Sequence, residues 1–175
     1  DTGKVIAIEP SPPNFQHLKK NLEMQDAKNV DAYNFAAGDV NGNVNFLVYK
    51  ESNGSFTIPD GETTNLPGEL IKVTAKRIDT FLDELKINHV DFVRMDVEGY
   101  ESHIIQGMKN TIKKSNPMFQ IEVHASILGK EGTRKFLEDF QNYGYDAKYY
   151  IPRDIDLPII GTMNDVKYHT IDTLL

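Results

Sequence analysis

The residue types best suited to chemistry crowd into one stretch, Val93-Arg94-Met95-Asp96-Val97-Glu98-Gly99-Tyr100-Glu101. Two acids one residue apart leave an apolar run there, and a glycine opens the next helical pattern. While the chain stays extended, alternation puts Asp96 and Glu98 on one side. Carboxylates so crowded repel, which raises the pKa of one and suits a general base, unless a cation or hydrogen-bond donors hold both charged. Glu122 and His124 repeat the spacing on what reads as the neighbouring strand. Asp96, Glu98 and His124 are therefore the candidate catalytic residues. The plain alternative for His124 is a strand-end histidine paired only for structural reasons. Asp96, Glu98, Glu122 and His124 also offer oxygen and nitrogen ligands for Mg²⁺ or a transition ion. That is the lesser reading, and no metal is assigned. Glu101 reads as a dipole or capping residue. His17, His89, His103 and His169 are scattered, and solvated or packing roles suffice for them.

Two further positions suit a nucleoside-like ligand. Glu9 closes an apolar strand and precedes a helix, where a carboxylate accepts two hydrogen bonds from the vicinal hydroxyls of a ribose. The helix dipole alone would also favour an acid there. In Phe35-Ala36-Ala37-Gly38-Asp39 the small residues let a flat ring approach the backbone, and Asp39 can accept from an exocyclic amine. The competing reading is that Gly38 and Asp39 merely begin a turn.

The elements that must position these residues follow from periodicity. Lys4 to Glu9 is a continuous apolar run, suited to a parallel strand buried on both faces. Glu9-Pro10-Ser11-Pro12-Pro13 stops it, and Phe15, Leu18 and Leu22 then recur at helical spacing. Val30 to Ala36 reads as a second strand. Asn41-Gly42 is a hairpin signal before Val44, Phe46 and Val48, with Glu69 to Lys76 as the returning partner. Ser52 to Pro67 reads as a loop, and Glu51 to Leu66 is long enough to act as a lid.

The α/β alternation then resumes. Ile78 to Lys86 predicts a helix, Val90 to Asp96 a strand, Glu101 to Lys114 a helix with Ile104, Ile105, Met108 and Ile112 on one face, and Met118 to Val123 a strand. Thr133 to Tyr143 predicts another helix capped by Gly144, and Tyr145 to Ile151 and Val166 to Thr173 predict closing strands. Tyr143, Tyr145, Tyr149 and Tyr150 either line a substrate mouth or pack a sheet edge. The whole is a single α/β domain over 1–175: a mostly parallel sheet with helices on both faces, an antiparallel excursion at about 39–77, and antiparallel C-terminal strands. Ligands of such sheets bind beyond the carboxyl ends of the strands.

Composition narrows the function. The formal net charge is -7 and there is no cysteine, which removes disulfides, thiolate metal sites and a cysteine nucleophile. The acidic balance speaks against a nucleic-acid partner, and no apolar run reaches the length of a membrane span. A cytoplasmic protein acting on a small or neutral substrate is expected, with the oligomeric state, including a homo-oligomer, left open.

On Ile8-Glu9-Pro10-Ser11-Pro12, Ala37-Gly38-Asp39 with Gly42, Arg77-Ile78-Asp79-Thr80-Phe81, Asp91, Asp96-Val97-Glu98-Gly99 with Glu101, and Glu122-Val123-His124, the chain resembles the FkbM-type family of S-adenosylmethionine-dependent methyltransferases. The resemblance implies a Rossmann-like class I methyltransferase fold and O-methylation of a hydroxyl on a sugar or other small molecule. It places Glu9, with Pro10, at the ribose of S-adenosylmethionine, and Ala36, Ala37, Gly38 and Asp39 by the adenine. Asp96, Glu98 and His124 are assigned by position, with His124 or Asp96 as the base and Glu98 orienting the acceptor. The family's opening strand and its glycine-rich Asp-x-Gly-x-Asn-x-Gly loop have no counterpart in Asp1-Thr2-Gly3. The competing functions are a nucleotide-binding or vestigial domain without catalysis, and a structural module pairing through its sheet edge.

Overall fold

The computed structural model describes residues 3–48, 55–58 and 68–145. The expected C-terminal strands, with Tyr149 and Tyr150, lie outside the described residues, as does most of the proposed lid. The chain divides into two compact units, one comprising Asp1–Phe92 and Ser102–Met118, the other Val93–Glu101 and Phe119–Leu175. Among the described residues no helix is long and apolar enough to cross a membrane.

In the first unit, β1 (Val5–Ile8) pairs in parallel with β2 (Val30–Tyr33), from Val5 opposite Val30 to Ile8 opposite Tyr33. Between them runs α1 (Pro12–Met24), whose N-cap Ser11 precedes two prolines that need no hydrogen-bonded N–H there. Phe15, Leu18 and Leu22 are half-buried while most of α1 is exposed, so the expected stripe is the shielded one. Burial of β1 on both faces is not met: Val5 is 48% exposed and Ile6 to Ile8 are half-buried. Among the described strands β1 has β2 as its one hydrogen-bonded neighbour.

The second predicted strand divides. After Tyr33, Asn34 turns its amide back to donate to the carbonyls of Glu9 (2.7 Å) and Pro10 (3.2 Å). β3 (Ala36–Gly38) then joins a different sheet, with β4 (Gly42–Val48), β5 (Phe56–Ile58) and β6 (Glu69–Arg77), in the order β3-β6-β4-β5. β4 and β6 are antiparallel as expected, while β3 runs parallel to β6. Asn41-Gly42 is therefore not the turn of a hairpin. It belongs to a link that crosses the end of β6, pinned by Arg77, whose N–H donates to Asn41 Oδ1 (3.0 Å) and whose Nη1 donates to the Asp39 carbonyl (2.7 Å). Within the predicted loop, residues 56–58 instead pair with β4.

Two cores hold this unit. Ala36, Val44, Phe46, Val73 and Ala75 pack within the four-stranded sheet. Phe35, Phe81 and Leu82 gather Ile6, Ile8, Tyr33 and Ala37 around α2 (Ile78–Glu84), with Phe81 meeting Tyr33 and Phe35 edge-on at 4.8 and 4.7 Å. Such burial contributes about 1.5–3 kcal/mol per large apolar side chain.

The helix expected from Glu101 to Lys114 is broken into α3 (Glu101–Gly107) and α4 (Lys109–Ser115). Two features cause the break. A Cβ on Gly107 would lie 1.7 Å from the Gly38 carbonyl oxygen, so the backbones touch where β3 ends. Asp79 of α2, only 8% exposed, then accepts from the Asn110 N–H and from the Thr111 N–H and hydroxyl at 2.8–3.0 Å, starting α4 afresh.

β7 (Phe92–Met95) and β8 (Met118–Ile121) form a further sheet. The Met118 N–H donates to the Asp91 carbonyl and the Glu122 N–H to the Met95 carbonyl, each at 2.9 Å. The two partners advance together, so the pair is parallel. In the second unit α5 (Ala125–Asn142) starts earlier than predicted and kinks at Gly129, and the predicted Gly144 cap is left-handed. Phe136 and Phe140 of α5 are buried, and Phe119 and Tyr145 meet Phe140 edge-on at 5.0 and 5.6 Å. The architecture is thus mixed α/β, with its described strands hydrogen-bonded as three separate sheets rather than one mostly parallel sheet.

Gly107→Ala is expected to lower the unfolding free energy by about 3 kcal/mol, read from urea denaturation, because backbone rather than a flexible side chain must yield. An unchanged midpoint would mean that α3 and β3 do not abut.

Candidate active site

The candidate residues of the first unit stand at strand ends. Glu9 follows β1, its N–H bonded to the Tyr33 carbonyl at 3.0 Å. Its Oε1 accepts from the Ser11 N–H at 2.7 Å, and Oε2 takes no partner among the described residues. Burial pushes the Glu9 carboxyl above its ordinary value, and the Ser11 bond only partly opposes this. Pro10 is half-buried beside it. In β3, Ala36 is 2% exposed, Ala37 is half-buried and Gly38 buried against Gly107. Asp39 Oδ2 lies 3.0 Å from His103 Nδ1. His103, expected to be merely solvated or packing, thus holds one oxygen of a candidate ligand-binding acid.

The second unit holds Asp96, Glu98 and His124, and it does bring them together. One ligand atom from each lies within 4.8 Å of the others. His124 Nε2 is 3.3 Å from Glu98 Oε2 and 3.8 Å from Asp96 Oδ1. Asp96 Oδ2 turns away to Arg94 Nη2 at 3.1 Å. The cause is not the extended alternation expected from the sequence. β7 ends at Met95, and Glu98 and Gly99 adopt positive φ of 50° and 92°, so a tight turn swings Glu98 round toward the histidine. Gly99 is also required sterically, since a Cβ there would meet Ile127 Cγ2 at 2.5 Å.

Glu101 was read as a capping residue, and the structure gives it more. It is fully buried, and its Oε1 accepts from His124 Nδ1 at 2.7 Å and from the backbone N–H groups of Gly99 and His124 at 3.3 Å. In the neutral ring, Nδ1 donating to this carboxylate leaves the lone pair on Nε2. Among the described residues Nε2 is buried without a hydrogen-bond partner, although two carboxylates face it. The signal that could have marked Glu101 is its place three residues after Glu98, on the first turn of a helix with an apolar face. Tyr145 is packed against Phe119 and Phe140 and its hydroxyl is pushed up by burial, which fits core packing rather than a substrate mouth.

The sequence profile of the methyltransferase FkbM domain matches residues 1–147. The chain belongs to the FkbM methyltransferase family. The chain is also similar to "Methyltransferase 1" of Beauveria bassiana (strain ARSEF 2860), 23% identical over 120 residues. The match covers 59% of this chain and 48% of that protein, so the FkbM chain spans about half the length of its curated relative. No solved structure matches it significantly.

Glu9 generates a prediction on stability. A carboxyl whose folded pKa is raised stabilises the fold fully below its unfolded pKa, near 4.5, and loses that contribution as pH rises through the folded value. Glu9→Gln should therefore match the native chain in thermal stability at acidic pH and exceed it at neutral pH. A variant less stable at neutral pH would show that the ionised carboxylate supports the fold.

Proposed function

We propose that this FkbM domain is the catalytic part of an S-adenosylmethionine-dependent methyltransferase that methylates a hydroxyl of a small molecule or sugar. The single observation that carries the reading is the buried Glu101–His124 pair, which aims a proton-accepting nitrogen between Asp96 and Glu98. Family membership supplies the reaction class, and the side chains fit it.

The cofactor's demands match the first unit's strand ends. A half-buried carboxylate with one open oxygen suits the two ribose hydroxyls, and Ala36, Ala37 and Gly38 present little side chain to a flat ring. When bound, S-adenosylmethionine supplies a methyl group on a sulfonium, an electrophile needing no further activation. Glu9 and Pro10 would hold the ribose, and Asp39, steadied by His103, would accept from the adenine amine through its remaining oxygen.

The acceptor needs a site that orients its oxygen and takes its proton. Glu98 and Asp96 would accept from other hydroxyls of the acceptor and so orient it, and the reacting hydroxyl would give its proton to His124 Nε2, the methyl–sulfur bond breaking as the new carbon–oxygen bond forms. The imidazolium so formed is stabilised by Glu101 on Nδ1. Most of the acceleration comes from positioning, and the base contributes about 10²–10⁴-fold.

Calorimetric titration of the full-length protein with S-adenosylhomocysteine tests the cofactor assignment. Binding is expected, with Glu9→Gln weakening it about tenfold or more, since the neutral amide loses charge-assisted hydrogen bonds. The affinity should also fall as pH drops, with a midpoint above the ordinary 4.5, because the ionised carboxylate binds. No binding, or equal binding by Glu9→Gln, would remove Glu9 from a cofactor site. For the base, His124→Gln should lower methyl transfer to a panel of small hydroxyl compounds by about 10²–10⁴-fold while leaving S-adenosylhomocysteine affinity unchanged.

A further inference from the structure

Three carboxylates surround one imidazole in the second unit. Glu101 holds Nδ1, while Asp96 and Glu98 face Nε2. Among the described residues the one cation paired within this group is Arg94, and it sits on the far oxygen of Asp96. The His124 side chain is 10% exposed, and its Nε2 has no hydrogen-bond partner. Two arrangements could balance the charge. A protonated imidazole would aim an N–H at one carboxylate, yet at 3.3 Å from Glu98 Oε2 the geometry makes no such bond. The alternative is a cation lying among the three atoms.

We propose that Asp96 Oδ1, Glu98 Oε2 and His124 Nε2 bind a divalent transition ion of the Mn²⁺ type. The donor set decides the class. Two carboxylate oxygens and one imidazole nitrogen, with no thiolate in the chain, suit Mn²⁺, with Zn²⁺ as the tighter competitor in the usual order of affinities. Mg²⁺ prefers oxygen and water and gains less from the imidazole. Three protein ligands leave coordination positions for a substrate oxygen. Glu101 is the outer carboxylate that fixes the ring so that Nε2 points inward, an arrangement characteristic of metal-bound histidine.

This deepens the proposed function and rests on it for its purpose, although the binding itself does not. With the ion in place Nε2 is a ligand and no longer the base; the cation would acidify the bound acceptor hydroxyl, whose proton would leave to water. Glu122, counted with the other three in the sequence, is not one of the converging ligands.

The test is calorimetric titration of EDTA-stripped, desalted full-length protein with MnCl₂ and ZnCl₂, with the electron paramagnetic resonance of free Mn²⁺ as a second readout. One Mn²⁺ per chain is expected. His124→Gln and Glu98→Gln should each weaken binding by about 100-fold, and Glu101→Gln by about 10–100-fold. Glu98→Gln alters a partly exposed side chain, so it carries the test if the histidine variant does not fold. No stoichiometric Mn²⁺ or Zn²⁺, or Glu98→Gln binding as tightly as the native chain, overturns the proposal. S-adenosylhomocysteine binding without metal binding would remove the ion and leave methyl transfer standing. Metal binding without S-adenosylhomocysteine binding would do the reverse.

Discussion

A carboxylate taken wholly out of water must find donors or a cation, because its lost hydration is worth several kcal/mol. Glu101 meets that demand in part: Oε1 receives the His124 ring and two backbone N–H groups, while Oε2 is buried without a partner among the described residues. Those three bonds tie together the turn after β7, the first residue of α3 and the residue that follows β8 and precedes α5. The geometry of Asp96 and Glu98 around Nε2 depends on this anchor. The turn around Glu98 and Gly99 is closed by one backbone bond, from the Tyr100 N–H to the Val97 carbonyl at 3.2 Å, and the Gly99 N–H donates to Glu101.

Elements whose side chains alternate or recur against one core were legible in the sequence. Phe15, Leu18 and Leu22 mark the shielded side of α1, and Val44, Phe46 and Val73 the inner face of β4 and β6. What escaped was set by contacts between distant segments. Nothing local to Glu101-to-Lys114 reveals that Gly107 must clear the Gly38 carbonyl, or that Asp79 waits to start α4. Asn41-Gly42 carries the chemistry of a hairpin turn, but the partner for β4 comes later in the chain, and Arg77 occupies the turn's acceptors instead.

The candidate site shows the same division. The residue types at Asp96, Glu98 and His124 pointed to one cluster, and the cluster exists, but by a left-handed turn rather than strand alternation. A period of two places side chains on a face only while φ stays extended, so the pattern foresaw their convergence through the wrong geometry. Glu101 was undervalued because an acid in a helix's first turn is favoured for a generic reason, and sequence does not distinguish an exposed one from one that is fully buried.

Two acids in this chain illustrate opposite uses of burial. Glu101 has three donors on one oxygen and serves to hold another side chain. Glu9 has one donor, from Ser11, and burial outweighs it, so the ionised form stays under-compensated by the protein. An acid left in that condition works against the fold at neutral pH, and the imbalance is removed when a ligand brings hydroxyl donors to the open oxygen. The same reasoning applies to Nε2 of His124, buried beside two carboxylates with no hydrogen-bond partner among the described residues. In both places the unmet electrostatic demand, rather than any residue's identity, is what the proposed ligands would meet, with hydroxyl donors at Glu9 and positive charge at His124.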